Sequence, residues 1–91
     1  MQDLYGVDND NRRFVYVLRS VAEPRRHYVG ITADVGGRLA AHNAGLSPHS
    51  SKFRPWKVVV VVECPDEQQA VRFEKYLKSA SGRAFTTRHF G

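Results

Sequence analysis

Arg38 and His42 stand four residues apart in a stretch with helical patterning, so they share one helix face. Glu74 lies beside the apolar positions Ala70, Phe73 and Leu77 of a second amphipathic stretch, at the edge of its buried stripe. Tyr16 and Tyr28 belong to two β-branched, aromatic runs earlier in the chain. Each of these side chains has a distinct chemical capacity. A guanidinium is permanently charged and offers a planar fork of donors to phosphate oxygens. A carboxylate is a hard ligand for Mg2+ or Mn2+, and Mg2+ keeps several waters and uses few protein carboxylates. An imidazole titrates near neutrality, whereas a phenol, with an ordinary pKa of about 10, needs a nearby cation to act as a base. Phosphodiester hydrolysis asks for this combination: a nucleophilic water, stabilisation of the negative charge that builds at phosphorus, and help for the leaving oxygen.

Taken singly, every one of these residues has an ordinary structural explanation. Tyr16 and Tyr28 suit half-buried sheet positions, and His42 suits a hydrogen-bonded place on an apolar helix face. Arg38 can shield that face with its aliphatic stem. Glu74 can pair with Lys78 one helical turn on, worth about 0.2–0.5 kcal/mol. The ordered coincidence of all five, with spacings that fit one compact domain, points to a shared site.

Phe14-Val15-Tyr16, followed by Tyr28-Val29-Gly30 on the next strand, resembles the paired motifs that give the GIY-YIG nucleases their name. Phe14 stands where that family carries glycine, and the two valines stand for isoleucine. After Gly30, the run through Arg38 to Leu39-Ala40-Ala41-His42 is similar to the family's helix with its catalytic arginine and following histidine, and Glu74 in Arg72-Phe73-Glu74-Lys75 matches its metal-binding glutamate. The resemblance covers residues 14 to about 85 and is strongest to small stand-alone members. It implies a catalytic set of Tyr16, Tyr28, Arg38, His42 and Glu74. Arg38 would stabilise the transition state and Glu74 would hold Mg2+ or Mn2+. Tyr28 or His42 would orient or deprotonate the attacking water, the resemblance favouring Tyr28, with Tyr16 in support. The activity implied is metal-dependent endonucleolytic hydrolysis of DNA, in a setting such as repair or recombination, with RNA left open as a substrate. Two other readings compete: a nucleic-acid-binding module with negligible catalysis, and a protein-interaction domain in which the same residues only stabilise the fold.

The elements that must position this set are legible in outline. Residues 1–12 are polar and turn-rich and read as a flexible tail, leaving residues 13–91 as the domain. Phe14 to Leu18 and His27 to Ile31 read as an antiparallel hairpin. Asp34 is placed to cap a helix that runs to about Gly45, with Val35, Leu39, His42 and Leu46 on one face. The unbroken run Val58 to Val62 reads as a strand covered on both faces and hence central in its sheet. Asp66 and Glu67 open a second helix whose stripe is Ala70, Phe73, Leu77 and Ala80, ending near Ser81-Gly82. Residues 83–91 are expected to form a short final element that docks Phe85 and Phe90 on the core. The order is β-β-α-β-α: an α+β domain with a three-stranded antiparallel sheet flanked by helices.

Composition sets the outer bounds. Ninety-one residues with 42% hydrophobic content suffice for one core and not for two. A net charge of +5 favours a polyanionic partner without naming one. The loop between Gly45 and Pro55 carries Lys52 and Arg54, which suit phosphate contact, while Trp56 is expected to cap the core. Cys64 is the only cysteine, so no internal disulfide forms, and with scattered His49 and His89 no zinc-ligand spacing exists. The absence of a signal pattern or long apolar run predicts a cytoplasmic protein away from membranes.

Overall fold

The computed structural model describes residues 11–91, so the expected tail lies almost wholly outside the described residues. Three strands, β1 (Arg13–Ser20), β2 (His27–Thr32) and β3 (Trp56–Cys64), and three helices, α1 (Val35–Asn43), α2 (Glu67–Lys78) and α3 (Ala80–Phe90), follow in the order β1-β2-α1-β3-α2-α3. The sheet is antiparallel with strand order β2-β1-β3. The α+β architecture expected from the sequence is therefore present, and residues 83–90 belong to a full third helix.

The sheet order corrects one expectation. β1, not the valine strand β3, is central, and β3 lies at an edge with Val61 40% exposed. Helices pack on both faces of this small sheet, so an edge strand also meets apolar surroundings on both sides. Val58 joins a cluster with Tyr16, Leu18 and Trp56 on the α1 face, while Val59, Val60 and Val62 pack with Val15, Val17, Ala70 and Leu77 on the α2 face. A bulge between Val17 and Leu18, where the β3 partner jumps from Val60 to Val58, accommodates the switch. A continuous apolar run thus reports covered faces, not a central position.

Helix boundaries follow their caps. The Asp34 carboxylate accepts from Gly37 N–H at 3.1 Å and the Asp66 carboxylate from Gln69 N–H at 2.9 Å, each such cap worth roughly 0.5–2 kcal/mol. α1 stops because Gly45 takes φ of 79°, the left-handed conformation in which glycine carries no steric penalty. That turn sends Leu46 away from the helix face on which it was expected, leaving it 74% exposed. α2 ends at Lys78, earlier than its apolar pattern suggested. Ser79 adopts extended backbone, and its side chain caps α3 by accepting from Gly82 N–H at 3.2 Å. Ala80 consequently leaves the α2 stripe and is exposed. Phe90 is half-buried as expected, but Phe85 is 37% exposed and sits edge-on to Tyr76 with ring centroids 6.4 Å apart. Trp56 is buried, as expected of a core cap.

One consequence matters for function. β2 is an edge strand with α1 on one face of the sheet and α2 packed over the other, so side chains from both helical layers can meet around its margin. No helix among the described residues is long and apolar enough to cross a membrane.

Candidate active site

Strand register brings the first pair together. Tyr16 stands opposite Gly30 and Leu18 opposite Tyr28, so both phenols lie on the α1 face, with ring centroids 6.2 Å apart. Gly30 is required for this arrangement, because a Cβ there would stand 2.6 Å from Tyr16 Cζ. His42, one helical turn after Arg38 on α1, enters the same cluster. Its Nε2 is 3.2 Å from the Tyr16 hydroxyl, its Nδ1 is 2.8 Å from Ser50 Oγ, and its ring meets Tyr28 edge-on at 4.5 Å.

The electrostatics of the cluster are set by burial and by Arg38. Burial pushes the Tyr16 phenol above its ordinary pKa, partly opposed by the Arg38 guanidinium beside it. The same contact, and more weakly that with Tyr28, holds Arg38 protonated even more firmly than usual. Burial, aided by the Arg38 charge, lowers the pKa of His42 and keeps its imidazole neutral. With a guanidinium facing the Tyr16 oxygen, the phenol hydrogen is best directed at His42 Nε2. His42 Nδ1–H is then left to donate to Ser50 Oγ.

Ser50 and Asn43 were not singled out from the sequence. Ser50 is 1% exposed and also accepts from Trp56 Nε1 through its carbonyl at 2.9 Å. The Asn43 amide accepts from Trp56 N–H at 2.6 Å and donates to the Trp56 carbonyl at 3.0 Å, tying the end of α1 to the start of β3. Both lie in polar surroundings with no spacing signal that separates them from ordinary loop and helix-end residues.

Glu74 comes from the opposite layer. Its side chain is 20% exposed, and Oε2 accepts from Lys78 Nζ at 2.8 Å, the one-turn ion pair that its spacing allowed. The carboxylate is hydrogen-bonded to none of the other four predicted residues, but the Lys78 charge lies close enough to lower the Tyr16 pKa. Among the described residues no group of three or more His, Cys, Asp or Glu side chains is placed to hold a metal. An ion at Glu74 would therefore draw on fewer than three such side chains, which suits Mg2+, an ion that keeps several waters. Of the two loop cations, Arg54 donates from Nε to the Ser51 carbonyl at 2.8 Å and so braces its own loop. Lys52 is exposed, its ammonium 5.5 Å from the Phe53 ring centroid.

The sequence pattern described as the GIY-YIG catalytic domain matches residues 12–88 of this chain. The chain belongs to the GIY-YIG family. It is 38% identical to the structure-specific endonuclease subunit SLX1 of Candida dubliniensis across 82% of its own length and 27% of that protein. To the subunit of the same name from Debaryomyces hansenii it is 34% identical, across 96% and 24% respectively. The chain thus spans about a quarter of the length of these curated relatives. The solution NMR structure of the UPF0213 protein BH0048 from Bacillus halodurans shares the fold, with a TM-score of 0.51 at 24% identity over 88% of this chain and 87% of that one. Within this GIY-YIG domain, Phe14 takes the first motif's glycine position; it is half-buried and stands opposite Thr32 and Glu63, on the same sheet face as Tyr16 two residues on. The glycine on which the cluster depends is Gly30, in the second motif.

Proposed function

We propose that this GIY-YIG domain is a DNA endonuclease that hydrolyses phosphodiester bonds with the help of Mg2+ or Mn2+. The observation that carries the reading is the exposed Arg38 guanidinium set against two phenols, in a cluster whose histidine is neutral and fixed at both nitrogens. Arg38 is free to reach a phosphate oxygen and to strengthen that contact as charge develops, which is worth about 2.7–4 kcal/mol for a well-placed donor. Tyr28 is half-buried beside that cation and is assigned as the group that orients or deprotonates the attacking water. His42, 1% exposed and already bonded on both sides, is better suited to holding Tyr16 than to meeting water. Glu74 would hold the ion, which when bound would neutralise charge on the scissile phosphate. Lys78 must then release Oε2 or share it. The named activity of the SLX1 relatives, structure-specific endonuclease, supports a substrate recognised by its structure; repair or recombination is the setting proposed for it.

The test is incubation of purified protein with branched, linear and single-stranded DNA, with and without Mg2+ or Mn2+, beside Arg38→Ala and Glu74→Ala. Cutting by wild type alone, dependent on the ion, is expected; folded variants that cut like wild type would sink the assignment. A second reading, a module that binds nucleic acid with negligible catalysis, is favoured by one observation: Glu74 is engaged by Lys78 and, among the described residues, belongs to no cluster of three or more His, Cys, Asp or Glu side chains. Salt-sensitive binding of every substrate without cleavage of any would establish it.

A further inference from the structure

A cleft of about 430 Å3 opens where the β1–β2 connection and the start of β2 face the end of α2 and the middle of α3. Arg25, Arg26, Lys78 and Arg83 line it, and no carboxylate does. The neighbouring acids offset only part of this charge. Glu74 holds Lys78, and Glu23 lies 3.9 Å from Arg26, whose guanidinium also stacks on Phe53 at 4.6 Å. Arg25 makes no ion pair among the described residues. Arg83 spends Nε on the Lys78 carbonyl at 3.0 Å, which leaves its two terminal nitrogens as donors. A further polar atom of the lining, Thr86 Oγ1, is buried without a hydrogen-bond partner. A concave, cation-rich surface with surplus donors is complementary to an anion whose oxygens only accept. The cleft also adjoins the site itself: Tyr28 lines it at one end, and Lys78 bridges it to Glu74.

We infer that this cleft is a second phosphate subsite, holding a phosphodiester of the DNA strand that flanks the scissile bond. The inference rests on the nucleic-acid part of the function proposed above and adds where the strand runs: past Tyr28, along the end of α2 and over α3. Contacts there position the substrate and do not touch the reacting atoms, so Arg25 and Arg83 are positioning residues.

The test measures binding of a fluorescent branched duplex in EDTA across a range of NaCl concentrations, then cleavage with Mn2+, for wild type, Arg25→Ala, Arg83→Ala, both together, and Thr87→Glu. Arg25 is exposed and bonded to nothing that its loss would unfold, and Thr87→Glu places a carboxylate on the lining from an exposed position. Each arginine substitution should reduce the slope of log K against log salt by about 0.9. Thr87→Glu should weaken binding roughly tenfold, and KM should rise while kcat at saturation holds. Arg88→Ala, on α3 outside the cleft, should change none of these. Unchanged slopes in both arginine variants, with unchanged binding by Thr87→Glu, overturn the subsite. So does inorganic phosphate that binds wild type and not the double variant while DNA slopes stay equal, because the cleft then serves free phosphate. If wild type cuts no DNA but the slopes fall as described, the nuclease reading fails and the subsite stands.

Discussion

The hydroxyl of Tyr16 and Nε2 of His42 lie 3.2 Å apart although 26 residues separate them in the chain, and His42 Nδ1 is secured by Ser50 Oγ on its other side. This chain of bonds runs from the central strand through α1 to the loop before β3. Removing either end leaves a buried polar atom unpaired, at about 1–3 kcal/mol. Tyr16→Phe is therefore expected to destabilise the fold by that amount and to slow cleavage. Ser50→Ala should cost similar stability while leaving the phenols chemically intact. Urea denaturation and single-turnover cleavage of the two variants separate these effects; equal cleavage by Tyr16→Phe and wild type would remove Tyr16 from the proposed mechanism.

Gly30→Ala tests the packing beneath the site. The added methyl would stand 2.6 Å from Tyr16 Cζ, so the tyrosine ring must move or the two strands must separate. Overpacking of this kind costs about 1–3 kcal/mol. A lowered melting temperature is expected, together with loss of cleavage beyond what the unfolded fraction explains. A variant as stable and active as wild type would show that the ring has room to shift.

The pH dependence of stability follows from the two histidines with lowered pKa. His42 is held down by burial and then by Arg38, and His27 by burial and then by Arg19. A base whose folded pKa lies below its unfolded value of about 6.5 binds more protons in the unfolded chain, so stability is lost as pH falls from the unfolded pKa towards the folded one. The slope is at most about 1.4 kcal/mol per pH unit for each proton. Urea midpoints measured between pH 7.5 and 5 should fall for wild type and fall less for His42→Gln. Parallel curves for the two proteins would count against a buried neutral His42.

Lys78→Met tests the competition at Glu74. The ammonium holds Oε2 at 2.8 Å, so its removal frees the carboxylate for a cation without altering the helix that carries it. Tighter Mn2+ binding in the absence of DNA is expected, read by water-proton relaxation, whatever happens to DNA affinity through the cleft. Weaker or equal Mn2+ binding would argue that Glu74 is not the ion's ligand.

How far these features were legible from sequence depended on the range of the interactions behind them. Helix starts at Asp34 and Asp66 were readable because a cap is a bond to a backbone N–H three residues on. The hairpin, the face shared by Arg38 and His42, and the Glu74–Lys78 pair were equally local. Family motifs placed the two tyrosines, since strand register follows from where a short connection must fold back. The end of α2 was missed because Ser79 and Ala80 fit a helical pattern as well as a break, and the choice lay with a capping bond that pattern does not weigh.

The sequence by itself determined which side chains were available and most of the elements that carry them, because backbone preferences and apolar periodicity act over a few residues. Only the tertiary structure decided that β1 is the central strand, since two helical layers give β3 the apolar faces of a central strand while leaving it at the edge. It also decided that His42 is pinned by Ser50, that Glu74 sits in the α2 layer opposite the α1 layer of Arg38, and that Arg25 and Arg83 line one cleft. Each of these joins separate segments of the fold, and such contacts are fixed by how the layers and loops pack, which no local spacing encodes.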